Sequence, residues 1–291
     1  MTAKTNSLIL GLAIATTLTL WASAFAGIRA GLMGYAPQHL VLLRFLVASS
    51  ALLILSPSMG VQRPQRKHLL RLALLGFTGI TAYNLALSYG QTQVSAGAAS
   101  LLVNTGPIFT VMMAAAFLGE RLKLWSLLGL LVSFSGAVLI AFSTGSDFSL
   151  NPWALLVLLA AALQAASFII QKPLSAYYKP FEITCYALWF GTLFSLVALP
   201  GFGSSVQRAP WQATFSVIYL GIGPAALAYV SWAYVLSHLP AGRAASYLYI
   251  VPVLAFFIAW VWLGEVPLLT TVIGGVLALG GVVIINTKGR G

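Results

Sequence analysis

The sequence predicts an all-α membrane protein of ten transmembrane helices, arranged as two inverted five-helix repeats. Three observations predict it. Of 291 residues, 60% are hydrophobic and 7% charged, where an ordinary soluble domain carries roughly 25% charge. Uncharged runs recur at lengths that cross a bilayer, which takes ~20 residues per helix. The chain also repeats itself at a spacing of 145 residues.

The spans follow from the uncharged runs. They fall at about 7–32, 38–56, 69–90, 96–118 and 124–142, then 152–172, 181–199, 211–236, 242–263 and 268–286. The run 72–119 is long enough for two helices, and the polar break Gly90-Gln91-Thr92-Gln93 divides it. Lys4, an apolar run and Ala22-Ser23-Ala24 imitate a cleaved leader. The apolar segment runs past that point to Arg29, and the repeat needs it, so a retained first helix is expected.

The net charge of +11 reflects scarce acids, four against fifteen bases. No basic stripe on a soluble face is available to bind nucleic acid, so no nucleic-acid partner is expected. The bases instead set topology. With the N-terminus inside, the inner segments hold twelve of the fifteen: Lys4, Arg63, Arg66, Lys67, Arg71, Arg121, Lys123, Lys172, Lys179, Arg243, Lys288 and Arg290. Both termini are then cytoplasmic.

The repeat pairs Tyr89 with Tyr234, Gly97 with Gly242, Pro107 with Pro252, Gly129 with Gly274 and Gly136 with Gly281. Leu118-Gly119-Glu120 recurs as Leu263-Gly264-Glu265. Earlier in each half the spacing is 143, pairing Phe25 with Phe168, Arg29 with Lys172 and Pro37 with Pro180. Residues 1–146 thus form one five-helix unit and 147–291 the other. Five is odd, so the second copy enters the membrane upside down. Inverted repeats characterise secondary transporters, whose substrates bind near the midplane between the halves.

Ten spans, the inverted repeat, Trp21-Ala22-Ser23-Ala24-Phe25 in span 1, Leu43-Arg44-Phe45 in span 2, and Leu-Gly-Glu closing spans 4 and 9 resemble the drug/metabolite transporter superfamily. The resemblance is to its EamA-type branch, covers essentially the whole chain, and within that branch extends to YddG-type amino-acid exporters. It implies a basket-like ten-helix fold with a central cavity. It also implies export of amino acids and related small metabolites across a bacterial inner membrane.

Candidate site residues come from polar stripes and from the repeat. Span 3 carries Thr78, Thr81, Asn84 and Ser88 on one helical face. Hydroxyls commonly serve helix packing, but the amide of Asn84 wants more partners than a tight interface supplies. Span 4 carries Gly97, Ser100, Asn104 and Pro107 at helical spacing. Pro107 and its twin Pro252 each remove a backbone donor and are expected to act as paired kinks or hinges. The repeat joins Asn104 to Tyr249, Asn84 to Tyr229 and Trp21 to Gln164, and Trp232 lies one turn from Tyr229. The expected substrate-binding set is therefore Trp21, Thr81, Asn84, Asn104, Gln164, Tyr229, Trp232 and Tyr249. Arg44 lies ~9 Å inside span 2 at 1.5 Å per residue. It is expected to snorkel outward or to bond backbone carbonyls. Gly129, Gly136, Gly274, Gly280 and Gly281 are expected to form close-packing surfaces.

Absences narrow the mechanism. The middle of the spans holds no Asp, Glu, Lys or His, the groups that mark proton and ion pathways. His39, His68 and His238 lack ligand spacing and Cys185 is the sole cysteine, so no metal and no cofactor are expected. No Ser/His/Asp constellation supports a membrane-embedded enzyme. A neutral, aromatic-lined path suits zwitterions, moved by alternating access and facilitated diffusion. The alternative within the superfamily is a multidrug, organic-cation, sugar-phosphate or nucleotide-sugar permease. The expected partners are a small-molecule substrate and the lipid bilayer, with oligomeric state left open.

Overall fold

The structure is a computed structural model that describes residues 2–106, 108–110, 112–113, 124–143, 151–238 and 247–288. Every regular element among the described residues is helical. The helices are α1 (Thr2–Leu32), α2 (Pro37–Leu55), α3 (Arg66–Gly90), α4 (Ala96–Val103), α5 (Leu124–Ser143), α6 (Pro152–Leu174), α7 (Pro180–Ser195), α8 (from Trp211 to His238), α9 (Val251–Leu263) and α10 (Leu269–Lys288). Six of them are long and apolar enough to cross a membrane: α1, α2, α3, α6, α7 and α8. The apolar stretches of α5, α9 and α10 are shorter. The expected spans 96–118 and 242–263, with Pro107, Glu120 and Arg243, lie in part outside the described residues.

Local chemistry sets the helix starts. Pro37, Pro152 and Pro180 stand at first helical positions, where a missing N–H costs nothing. Asn151 Oδ1 caps α6 by accepting from Trp153 N at 2.9 Å. The sequence leaves 200–210 as a loop. The structure winds Phe202–Arg208 into a short helix after Gly201, whose φ of +76° only glycine adopts cheaply. His39 holds that helix against α2 through Ser205 Oγ at 2.6 Å and Pro200 O at 3.1 Å.

Two long helices contain wide π-turns. In α3 the turn is Phe77–Ala82, and Tyr83 N donates to Thr78 O, five residues back. In α8 it is Gly221–Leu227, and Ala228 N donates to Gly223 O. The two hydrogen bonds stand 145 positions apart. Pro224 explains the second turn, because it cannot donate to the regular ladder. A second matched interruption lies between α4 and α9. Helix α4 ends at Val103 with Asn104 as its cap, and a 3-10 turn, Leu248–Ile250, leads into α9 at the positions 145 further on.

Packing is reciprocal across the halves. Ser49 Oγ donates to Leu188 O at 3.3 Å, Thr192 Oγ1 to Phe45 O at 3.1 Å, and the two hydroxyls meet at 2.6 Å. Ser49 with Thr192 and Phe45 with Leu188 are each 143 apart, so one contact maps onto the other. A Cβ on Gly76 would lie 2.8 Å from Ala187 O and 2.7 Å from Phe190 Cβ. One on Gly221 would lie 2.7 Å from Arg44 O and 2.7 Å from Val47 Cβ. Helices α5 and α10 meet in the same way. Gly136 faces Gly274 O and Ala278 N, while Gly281 faces Gly129 O and Ser133 N, all within 2.5 Å of a would-be Cβ. Contacts that exchange i with j are the mark of a two-fold relation. Gly280 departs from expectation. It is exposed with nothing within 4 Å, because one residue along a helix turns the side chain ~100° away from the seam.

The two ends of the bundle differ. At one end, Glu182 accepts from Lys179 N at 2.8 Å and from Gln62 N at 3.1 Å. Tyr178 Oη accepts from Gln65 N at 3.0 Å and meets His68 Nδ1 at 3.0 Å. These bonds gather the basic segments 63–71 and 172–179 beside one another. Large apolar side chains cover the flanks, with Ile54, Leu70, Val261 and Val276 each at least 66% exposed. An apolar surface of that extent is a liability in water and a match for lipid.

Candidate substrate-binding site

The π-turns position the centre. Asn84 follows the turn in α3 by two residues and Tyr229 follows the turn in α8 by two. π-turns are uncommon and concentrate at functional sites. Each one shifts the register of the turn beyond it, where Asn84 bonds to Arg44 of α2 and Tyr229 meets Trp21 of α1.

Trp21 of α1 meets both aromatic residues expected of α8. Its ring lies 5.6 Å from that of Tyr229, edge to face, and 5.3 Å from that of Trp232. Those geometries are favourable for aromatic pairs. All three rings are half-buried. Asn84 is buried, donates through Nδ2 to Ile80 O at 2.8 Å, and accepts from Arg44 Nη1 at 3.0 Å. The structure thus draws Trp21, Tyr229 and Trp232 together and bonds Asn84 to Arg44.

Thr81 points elsewhere. Its hydroxyl donates to Gly191 O at 2.7 Å and is buried between α3 and α7, a packing position. Asn104 is half-buried and donates to Ser100 O at 2.8 Å. Gln164 is half-buried in α6. Among the described residues no hydrogen bond or ring contact joins either side chain to the aromatic group. Pro252 is buried at the start of α9. Tyr249 lies in the 3-10 turn before it, and Pro107 lies outside the described residues.

Arg44 departs from the expected snorkelling side chain or bonds to backbone carbonyls. The structure leaves it 6% exposed and bonds it to the side chain of Asn84. The available signal was a lone cation a full two turns inside an apolar helix.

The end of the bundle opposite the basic segments is tied shut by one network. Arg29 Nε pairs with Glu265 Oε1 at 3.1 Å, and Arg29 Nη1 donates to Gln91 O at 2.8 Å and Thr92 O at 3.2 Å. Glu265 Oε2 accepts from Ala96 N at 2.8 Å, so a carboxylate also meets the positive end of α4. Gln91 Nε2 donates to Phe25 O at 2.9 Å. Beneath this, Phe256 covers Gly97 so closely that a Cβ there would lie 2.1 Å from the ring.

Comparison with known proteins agrees with this architecture. The model of the EamA-like transporter family matches twice, over residues 8–142 and 151–287. A probable terminal-alkyne amino-acid exporter of Streptantibioticus cattleyicolor is 42% identical over 96% of this chain and 94% of its own. The uncharacterised transporter YdfC of Bacillus subtilis is 42% identical over 90% of this chain and 86% of its own. A solved crystal structure, 19% identical, overlays 97% of both chains with a TM-score of 0.64, which speaks for the fold alone. The chain belongs to the EamA-like transporter family, and so is a multi-pass membrane transporter and not an enzyme.

Proposed function

We propose that this transporter exports amino acids, aromatic and other neutral ones among them, and related small metabolites across a bacterial inner membrane. The observation that carries the reading is the cluster of Trp21, Tyr229 and Trp232, with Asn84 and Tyr229 each following one of two matched π-turns. Half-buried aromatic faces suit an apolar or aromatic side chain, and amides suit its polar end. The name carried by the relative from Streptantibioticus cattleyicolor supports the same substrate class.

The mechanism is alternating access. Two five-helix units, 1–146 and 147–291, with both termini cytoplasmic, rock about the reciprocal seams of α2 with α7 and α5 with α10. Pro107 and Pro252 serve as the hinges. Asn104, Gln164 and Tyr249 join the site in the course of that motion. With no acid at the site, transport is facilitated diffusion. Opening toward the outside breaks the Arg29–Glu265 network. Glu265→Ala is therefore expected to raise the labelling of an introduced Ser100→Cys by an impermeant maleimide about tenfold, with Cys185 buried and silent.

Flux in proteoliposomes tests the substrate and the coupling together. Phenylalanine, leucine, a sugar phosphate and an organic cation compete for uptake of a labelled aromatic amino acid. The expected result is competition by the amino acids alone, with no accumulation driven by a pH gradient. Asn104→Ala and Tyr249→Ala are expected to lower flux at normal membrane yield. Competition by the sugar phosphate or the cation in place of the amino acids contradicts the reading, and accumulation driven by a pH gradient contradicts facilitated diffusion.

A further inference from the structure

Arg44 is a buried cation that the chain leaves without a counter-ion among the described residues. One nitrogen, Nη1, donates to Asn84. Another, Nε, is buried with no hydrogen-bond partner among the described residues, and the guanidinium carbon lies 5.3 Å from the centre of the Phe45 ring. The one ion pair among the described residues is that of Arg29 with Glu265, and Glu182 is engaged with backbone N–H groups of Gln62 and Lys179. Burying a charge without a partner is costly, and an ionisable group inside the membrane marks a functional site with a partner to be named.

Packing does not account for this arginine. The residue 143 positions on is Ala187, which holds the equivalent place in α7 and is buried. The carbonyls of Arg44 and Ala187 make the same close approach, one to Gly221 and the other to Gly76. The helix seam is therefore satisfied by a methyl group, and the guanidinium is an addition to one half only. It bonds to Asn84, whose partner in the 145-residue repeat is Tyr229, and Tyr229 in turn touches Trp21.

We propose that Arg44 is the seat of the carboxylate of the transported molecule. The guanidinium offers a planar fork that carboxylates match in two parallel hydrogen bonds. Asn84 holds the fork in place. A carboxylate there sets the rest of the molecule against Tyr229, Trp21 and Trp232. The cargo is then an aromatic or apolar carboxylic acid, and an amino acid in particular. This assignment rests on the proposed amino-acid reading but is separable from it.

The test is equilibrium binding to the purified transporter in lipid nanodiscs. The probes are phenylalanine, phenylalaninamide, 3-phenylpropionate and 3-phenylpropionamide, against wild type, Arg44→Gln and Arg44→Lys. Wild type is expected to bind each acid at least about tenfold more tightly than its amide, the scale of a charge-assisted hydrogen bond. Arg44→Gln is expected to erase that preference by weakening the acids about tenfold while leaving the amides within about twofold. Arg44→Lys recovers part of it. Equal binding of acid and amide by wild type, or a preference that survives Arg44→Gln, overturns the assignment. So does failure of wild type to bind either acid. The wild-type comparison decides even where the glutamine variant does not fold. Arg44-dependent binding of 3-phenylpropionate without phenylalanine upholds the carboxylate seat and removes the amino-acid reading. Phenylalanine binding with no amide discrimination does the reverse.

Discussion

Gly281→Leu is expected to abolish folded transporter, while Gly280→Leu is expected to be tolerated. The two residues are adjacent in α10 and share composition, helix and depth. They differ only in the direction each presents. A Cβ at Gly281 would lie 2.3 Å from Ser133 N and 2.4 Å from Gly129 O, and these are backbone atoms that cannot swing aside. A Cβ at Gly280 meets nothing within 4 Å. Insertion of bulk into a packed seam costs about 3 kcal/mol when the neighbours cannot move, and here α5 and α10 must separate along their length. They would also lose the bond from Ser133 Oγ to Ala278 O at 2.8 Å. Gly136→Leu is expected to fail in the same way, because its contacts are those of Gly281 carried across the two-fold relation. Monodisperse yield after detergent extraction and the melting temperature of what remains check all three variants.

Trp21→Ala is expected to lower amino-acid flux at least about tenfold at unchanged membrane yield. The indole touches both Tyr229 and Trp232, so its removal dismantles the aromatic surface from α1 outward. Loss of such a face costs ~1.5–3 kcal/mol of binding, a factor of roughly ten to 150 in affinity. Tyr229→Ala and Trp232→Ala are expected to give smaller losses, because each leaves one Trp21 contact in place. Trp260→Ala is the control. That residue is 57% exposed on α9 and pairs with Phe257, also exposed, so it belongs to the lipid-facing surface. Flux through Trp260→Ala liposomes is expected to match wild type.

How much of this was readable beforehand depends on what each feature needs. Helix identity and approximate limits need only uncharged length, and α1, α2, α3, α6, α7 and α8 fall where the runs lie. Equivalence between halves needs only matched residues, so Asn84 with Tyr229 and Gly136 with Gly281 were visible as pairs. Rotation about a helix axis is different. It separates Gly281 from Gly280 and turns Thr81 toward α7. The apolar pattern sets rotation in water, but a helix with lipid on one side and protein on the other is apolar all round. The π-turns add to the difficulty, since each shifts the register of everything beyond it. Pro224 flags the turn in α8, but α3 has no proline to announce Phe77–Ala82. The role of Arg44 depends on the direction of a long side chain, and in sequence an outward course was as reasonable as the inward one.

The central claim is that amino acids cross through the aromatic site between two inverted halves. Counterflow measures it most directly. Proteoliposomes of the wild-type transporter, preloaded with unlabelled phenylalanine, are given a trace of labelled phenylalanine outside. The account predicts rapid transient accumulation of label, absent from unloaded vesicles and lost in Trp21→Ala. Label entry equal to that of protein-free liposomes would contradict it.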